Sequence, residues 1–174
     1  MEVSEELRLV ARAKTGDRDA LGLLWDDLTP KLYGYLLNQL RQKDLAEDIT
    51  QETWLKAINH LDKFKDRGVR FSAWVFAIAR NECRQHWRGG NKEIPVDWTE
   101  EGADSNLQST HSDDYLMIES VFIHLSNEEQ EILRLRYLAE LSFKEIAGIL
   151  EISMIAARVR LHRALSRARN HIQK

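Results

Sequence analysis

Apolar residues recur along most of this chain at a spacing near 3.6, the period of a helix with one buried face. Ile49, Trp54, Leu55, Ile58 and Leu61 are one such series. No stretch of useful length alternates with a period of two, so strands are not expected. Helix-start signals punctuate the pattern. Thr29-Pro30 offers a capping hydroxyl before a proline at the first helical position, where the missing N–H costs nothing. Asp44-Leu-Ala-Glu47, Ser126-Asn-Glu-Glu129 and Ser142-Phe-Lys-Glu145 have capping-box spacing, and Ser72 and Ser153 are further candidate N-caps. The pattern predicts an all-α protein, with four or five helices before residue 93 and four after residue 114.

The most specific local signal lies at residues 142–169. A capped helix from Ser142 to about Leu150 is followed by the break Glu151-Ile152-Ser153 and a second helix from Met154. Ile146, Ala147, Leu150, Ile152, Ala157 and Leu161 fall where two crossed helices must pack, with the small Ala147 at the closest approach. This is the pattern of a helix-turn-helix, whose second helix can enter the major groove of DNA. The second helix carries Arg158, Arg160, Arg163, Arg167, Arg169 and Lys174, with no acid after Glu151. Such one-sided charge attracts phosphate. A helical hairpin with a solvated basic tail is the plainer alternative; the turn and the acid-free run together favour DNA binding.

Charge then changes the picture by dividing the chain. The 174 residues carry a formal net charge of -3, but residues 1–92 hold +2, residues 93–114 hold -7 and residues 115–174 hold +2. The middle segment contains Glu93, Asp97, Glu100, Glu101, Asp104, Asp113 and Asp114 and no Lys or Arg. It has no helical or strand period, and its composition reads as an acidic flexible linker unable to bury enough apolar surface to order itself. Two small helical domains, 1–92 and 115–174, joined by the tether 93–114, are therefore expected.

In the first of these, Arg80, Arg84, Arg88 and Lys92 recur every four residues on a helix starting near Ser72, flanked by Asn81, Gln85 and His86. Phe71, Trp74, Phe76 and Trp87 interleave aromatics. Cations that track phosphate beside faces that receive unstacked bases suit single-stranded nucleic acid. The same residues also fit a core of Trp74, Val75, Ile78 and Trp87 beneath a wet basic face, and spacing alone leaves both readings open. The stretch Phe64-Lys-Asp-Arg-Gly-Val-Arg-Phe71 reads as a loop that holds a ligand or turns the chain.

Other chemistries find little support. Cys83 is the lone cysteine, which excludes a disulfide or cysteine-rich zinc site within one chain. His60, His86, His111, His124, His162 and His171 are scattered, with no HExxH, glycine-rich phosphate loop or CxxC. No enzyme activity, metal or cofactor is expected. No apolar run is long enough to span a bilayer, and the acidic start MEVSEELRLV is unlike a secretory signal, so a cytoplasmic protein is expected.

The runs DLAEDITQETWLKAINHLDKF (44–64) and FSAWVFAIARNECRQHWR (71–88) resemble the second conserved region of bacterial RNA polymerase sigma factors. LSNEEQEILRLRYLAELSFKEIAGILEISMIAARVRLHRALSRAR (125–169) resembles their fourth region. Two such regions with a short linker resemble the extracytoplasmic-function (ECF) group. The resemblance implies an alternative sigma factor that binds core RNA polymerase and directs it to promoter DNA. It implies that Asp44, Asp48, Gln51, Glu52 and Trp54 contact the clamp helices of the largest subunit, with the flap region as a second polymerase contact. It implies that Lys65, Arg67, Arg70, Trp74, Arg80, Asn81, Arg84 and Arg88 serve the minus-ten element, where a non-template base is flipped and captured. Lys144, Ser153, Arg158, Arg160, His162 and Arg163 match the minus-thirty-five reader. An anti-sigma factor is an expected partner. A polymerase-independent helix-turn-helix regulator is the alternative, disfavoured by the match at 44–88.

The chain also departs from the family pattern. Residues 153–160 read Ser-Met-Ile-Ala-Ala-Arg-Val-Arg where Ser-Val-Gly-Thr-Val-Lys-Ser-Arg is common. Ala156 and Val159 lack the usual hydroxyls but can touch a thymine methyl, which implies altered specificity. Glu151 stands where Gly is common, at a strain cost if its φ is positive. The stretch between Phe64 and Phe71 is one residue longer than usual, which bears on which minus-ten base is captured.

Overall fold

The computed structural model describes residues 1–65, 69–89, 122 and 124–172, with the side chains of Arg88, Gly89, His171 and Ile172 left undescribed. The acidic segment 93–114 and Arg67 lie outside the described residues. The described chain is all-α and divides into two compact units, Met1–Ile94 and Pro95–Lys174.

The first unit contains α1 (Val3–Lys14), α2 (Arg18–Leu40), α3 (Lys43–Asn59), a 3-10 turn (Leu61–Lys63) and α4 (Phe71–Gly89). The long α2 packs against α1, α3 and α4. Leu24, Leu28, Leu32 and Leu36, one turn apart, form its fully buried spine. Tyr35 meets Phe76 of α4 edge-on at 5.4 Å. Thr29-Pro30 does not start a helix: it lies inside α2. The start is Asp17, whose carboxylate accepts the Ala20 N–H at 3.0 Å. That bond and the Arg12 guanidinium hold the Asp17 pKa below its usual value. Pro30 is exposed and supplies no N–H to the helix ladder, while the leucine spine carries the helix through.

Two other start signals also give way to longer-range structure. Arg41 ends α2 in a left-handed conformation (φ 59°), so α3 begins at Lys43 and Asp44 sits in its first turn rather than capping it. Ser72 lies inside the first turn of α4, and the cap comes from α1. Glu6, 2% exposed, accepts the Ser72 N–H at 2.6 Å and its hydroxyl at 3.2 Å.

On α3 the buried face is Ala46, Ile49, Thr50, Thr53, Trp54 and Ala57. The two threonine hydroxyls donate to the carbonyls of Ala46 (2.6 Å) and Ile49 (2.7 Å), which satisfies them inside the core. Leu55 and Ile58, expected within the buried series, are exposed instead.

The described part of the second unit contains α5 (Asn127–Leu133) running into a π-helical turn (Arg134–Leu138), then α6 (Phe143–Leu150) and α7 (Met154–Ile172). Both expected capping boxes are present, Ser126 with Glu129 and Ser142 with Glu145. Leu125, Ile132, Leu135, Leu141, Ile146, Ala157, Leu161 and Ala164 close the core.

Candidate nucleic-acid interface

Asp44, Asp48, Gln51 and Glu52 all lie exposed on α3. Asp48, Gln51 and Leu55 follow at intervals of three and four and so form one outward stripe. Leu55 is 61% exposed and completes that stripe with an apolar end. Trp54 points the other way. It is 1% exposed and stacks on Trp25 with ring centroids 4.7 Å apart, so it is an anchor of the core rather than a surface contact. Lys56 turns from α3 to pair with the buried Glu82 and ties α3 to α4.

On α4, Phe71, Val75, Phe76, Ala79 and Cys83 face inward, while Asn81, Arg84, Gln85 and His86 are exposed. Arg80 and Arg70 are half-buried and Lys65 is exposed. Trp74 is half-buried in a cluster with Phe64 (5.4 Å) and Phe71 (5.6 Å), and part of its ring stays accessible at the N-terminal end of the basic helix. Of the residues expected in the core of this helix, Val75 is buried, whereas Trp74, Ile78 and Trp87 are half-buried. Cys83 is fully buried.

Sequence reasoning missed the part played by α1. Lys14 donates to the Phe64 carbonyl, and Glu6 holds Ser72, so one helix grips the chain on both sides of the stretch 65–70. The available clue was an acid, Glu6, placed three and four residues before Leu9 and Val10 in their buried series.

The helix-turn-helix is formed by α6, the turn Glu151-Ile152-Ser153, and α7. Glu151 adopts φ 56°, ψ 41°, and its N–H and that of Ile152 both close on the Ala147 carbonyl. The Ser153 hydroxyl accepts the Ala156 N–H at 3.0 Å and caps α7. Lys144, Arg158, His162 and Arg163 are exposed. The guanidinium of Arg158 lies 5.5 Å from the Phe143 ring, which Arg136 also approaches at 5.3 Å. Arg160 differs from these: it is half-buried and pairs with Glu128 of α5 at 3.0 Å. Arg167 likewise pairs with Glu129 at 2.9 Å. Two of the basic residues expected to face DNA or solvent thus fasten α7 to α5.

Among the described residues no cluster of His, Cys, Asp and Glu has the makings of a metal site, and no helix is long and apolar enough to cross a membrane.

Residues 24–93 match the family model of Sigma-70 region 2, and residues 115–167 that of Sigma-70 region 4. The chain is 31% identical over 175 residues to the ECF RNA polymerase sigma factor ShbA of Streptomyces griseus, covering 92% of each chain. It is 31% identical over 151 residues to the ECF RNA polymerase sigma factor BldN of Streptomyces coelicolor, covering 83% of this chain and 57% of that longer relative. Its fold is similar to the sigma factor RpoE of Bartonella quintana, solved in complex with the anti-sigma factor NepR, with a TM-score of 0.67, 22% identity and coverage of 88% of this chain and 96% of that one. Region 2 and region 4 in this order, with a relative matched over nearly its whole length, place the chain in the family of ECF RNA polymerase sigma factors.

Proposed function

We propose that this protein works as an alternative sigma factor in the cytoplasm, with residues 1–92 binding polymerase and the minus-ten element, 93–114 as linker and 115–174 binding the minus-thirty-five element. The exposed stripe of α3, Asp44, Asp48, Gln51, Glu52 and Leu55, is the surface offered to the clamp helices of core RNA polymerase. Its acids and amide give it charge and hydrogen bonding, and Leu55 gives it an apolar contact. Lys65, Arg67, Arg70, Trp74, Arg80, Asn81, Arg84 and Arg88 serve the minus-ten element, with Asn81 and Arg84 at the exposed centre of α4. Lys144, Ser153, Arg158, His162 and Arg163 serve the minus-thirty-five element, and Arg160 supports them by holding α7 on α5. The protein performs no catalysis of its own; the polymerase supplies the chemistry. The flap region is its second polymerase contact, and an anti-sigma factor its regulator, in keeping with the complex in which RpoE of Bartonella quintana was solved.

The observation that carries this reading is the presence in one chain of an outward α3 stripe and a capped helix-turn-helix. A polymerase-independent regulator has no use for the first. Binding to purified core polymerase, followed by permanganate probing of promoter DNA, tests it. Saturable binding with unpaired thymines upstream of the start site is expected. Tight duplex binding without affinity for polymerase would leave a helix-turn-helix regulator instead.

A further inference from the structure

The first two turns of α7 expose apolar residues where a helix facing only water would be polar. Ala157, Leu161 and Ala164 form the buried face of α7. Opposite them, at the same intervals of four and three, stand Ile155, Val159 and His162. Ile155 is 73% exposed and Val159 43%. Both are β-branched, so they favour the helix less than most alternatives, and neither contributes to the core. Local stability does not account for them.

Their surroundings name the occupant. Arg158 and Arg163 flank them on the exposed side of α7. The only acid within the helix-turn-helix break, Glu151, lies before the Ser153 cap. A cationic rim around an apolar centre suits DNA, whose phosphates meet the rim. The N-terminal turns of the second helix are those that meet base edges. In the major groove the one apolar group among the base edges is the C5-methyl of thymine. Residues four apart on a helix have Cβ atoms about 5–6 Å apart. DNA rises about 3.4 Å per base along a strand. Ile155 and Val159 therefore reach different, nearby base pairs. The hydroxyl at Ser153 is occupied in the cap, and residues 154–157 offer no side-chain hydrogen-bonding group. Readout by residues 154–157 therefore falls to shape and methyl contact.

We propose that Ile155 and Val159 form an apolar subsite for thymine methyl groups within the minus-thirty-five element. It rests on the sigma-factor reading above. It makes Ile155 the principal specificity determinant of the first turn, with Val159 one turn further on.

The test keeps the protein intact. The full chain is assembled with core RNA polymerase, and the holoenzyme selects from promoters randomised through the minus-thirty-five element. In the selected sequence each thymidine is then replaced by deoxyuridine, which removes the methyl and keeps every hydrogen-bonding group. Loss of binding by about threefold to fivefold at one or two positions is expected, the effect of leaving one methyl unburied. Ile155→Ala should abolish the thymidine preference at one of these positions and Val159→Ala at the other, with opening at an unaltered minus-ten element retained. Equal binding of thymidine and deoxyuridine promoters by the wild-type holoenzyme, or a selected element with no thymine on either strand, overturns the subsite and leaves the apolar face to a protein partner. Failure to form a holoenzyme, or absence of any minus-thirty-five preference, overturns the sigma reading itself and the subsite with it.

Discussion

Glu151 provides a direct measure of how local geometry is stored in the helix-turn-helix. Its φ of 56° and ψ of 41° lie in the left-handed region, which costs an L residue about 1–2 kcal/mol. The conformation is imposed by the turn, because the N–H groups of Glu151 and Ile152 must both reach the Ala147 carbonyl for α6 to end there. Glycine at this position escapes the Cβ clash but loses about 0.5–1 kcal/mol more backbone entropy on folding. The carboxylate is unfavourable at the C-terminus of α6 and favourable before α7, so its removal changes little. Glu151→Gly should therefore stabilise the second unit by about 0.5–1 kcal/mol, raising its midpoint by a few degrees for a unit of this size. Four of the five tryptophans, Trp25, Trp54, Trp74 and Trp87, belong to the first unit, and Trp98 lies outside the helix-turn-helix. Far-UV circular dichroism of the full chain should thus show a later transition for the second unit, while the main tryptophan fluorescence transition, carried by the four tryptophans of the first unit, stays in place. An unchanged or lowered midpoint for the second unit would refute the strain reasoning, and Glu151→Asn should fall between the two.

Other substitutions separate surface from support. Leu55→Asp should weaken binding to core polymerase at least about tenfold without moving the thermal midpoint, since an exposed side chain carries little folding energy. Trp54→Ala should cost about 3–5 kcal/mol of stability by emptying a fully buried site, readable in denaturant unfolding of the same chain. Asn81→Ala with Arg84→Ala should reduce permanganate reactivity at the minus-ten element while polymerase binding persists; loss of polymerase binding would make both residues structural. Glu6→Gln removes the charged acceptor at the start of α4 and should destabilise the first unit by about 1–3 kcal/mol, followed by the tryptophan fluorescence midpoint in urea.

What the sequence revealed depended on how far apart the interacting residues lie. Both capping boxes of the second unit join residues three apart, and both form as expected. The Ser153 cap is equally local. Ser72 failed as a cap because its partner, Glu6, is 66 residues away and occupies the α4 terminus from another helix. Thr29-Pro30 has the composition of a helix start, but four leucines at successive turns of α2 outweigh one missing backbone hydrogen bond. On α3 hydrophobicity misplaced the buried face. Thr50 and Thr53 look polar until their hydroxyls fold back on the preceding turn, and Leu55 looks buried because nothing in the composition marks it as a surface contact. Trp54, grouped with the outward acids by the family resemblance, follows the helix period inward.

The same distinction bears on charge, where the number of arginines on α7 overstates what DNA can use. The sign of each is legible in the sequence, but its partner is not: Arg160 finds Glu128 and Arg167 finds Glu129, 32 and 38 residues earlier. Each pair must break before its guanidinium can serve phosphate, whereas no ion pair among the described residues holds Arg163 or Arg169. Every phosphate neutralised lowers the slope of log affinity against log salt by about 0.9. Promoter binding by the holoenzyme, titrated with salt, should therefore lose about one unit of slope with Arg163→Ala or Arg169→Ala and almost none with Arg160→Ala or Arg167→Ala. The latter pair should instead lower the thermal midpoint of the second unit slightly, as partly exposed ion pairs contribute less than about 1 kcal/mol. A full unit of slope lost on removing Arg160 would show that its bond to Glu128 opens when DNA binds, and that this arginine belongs to the reader after all.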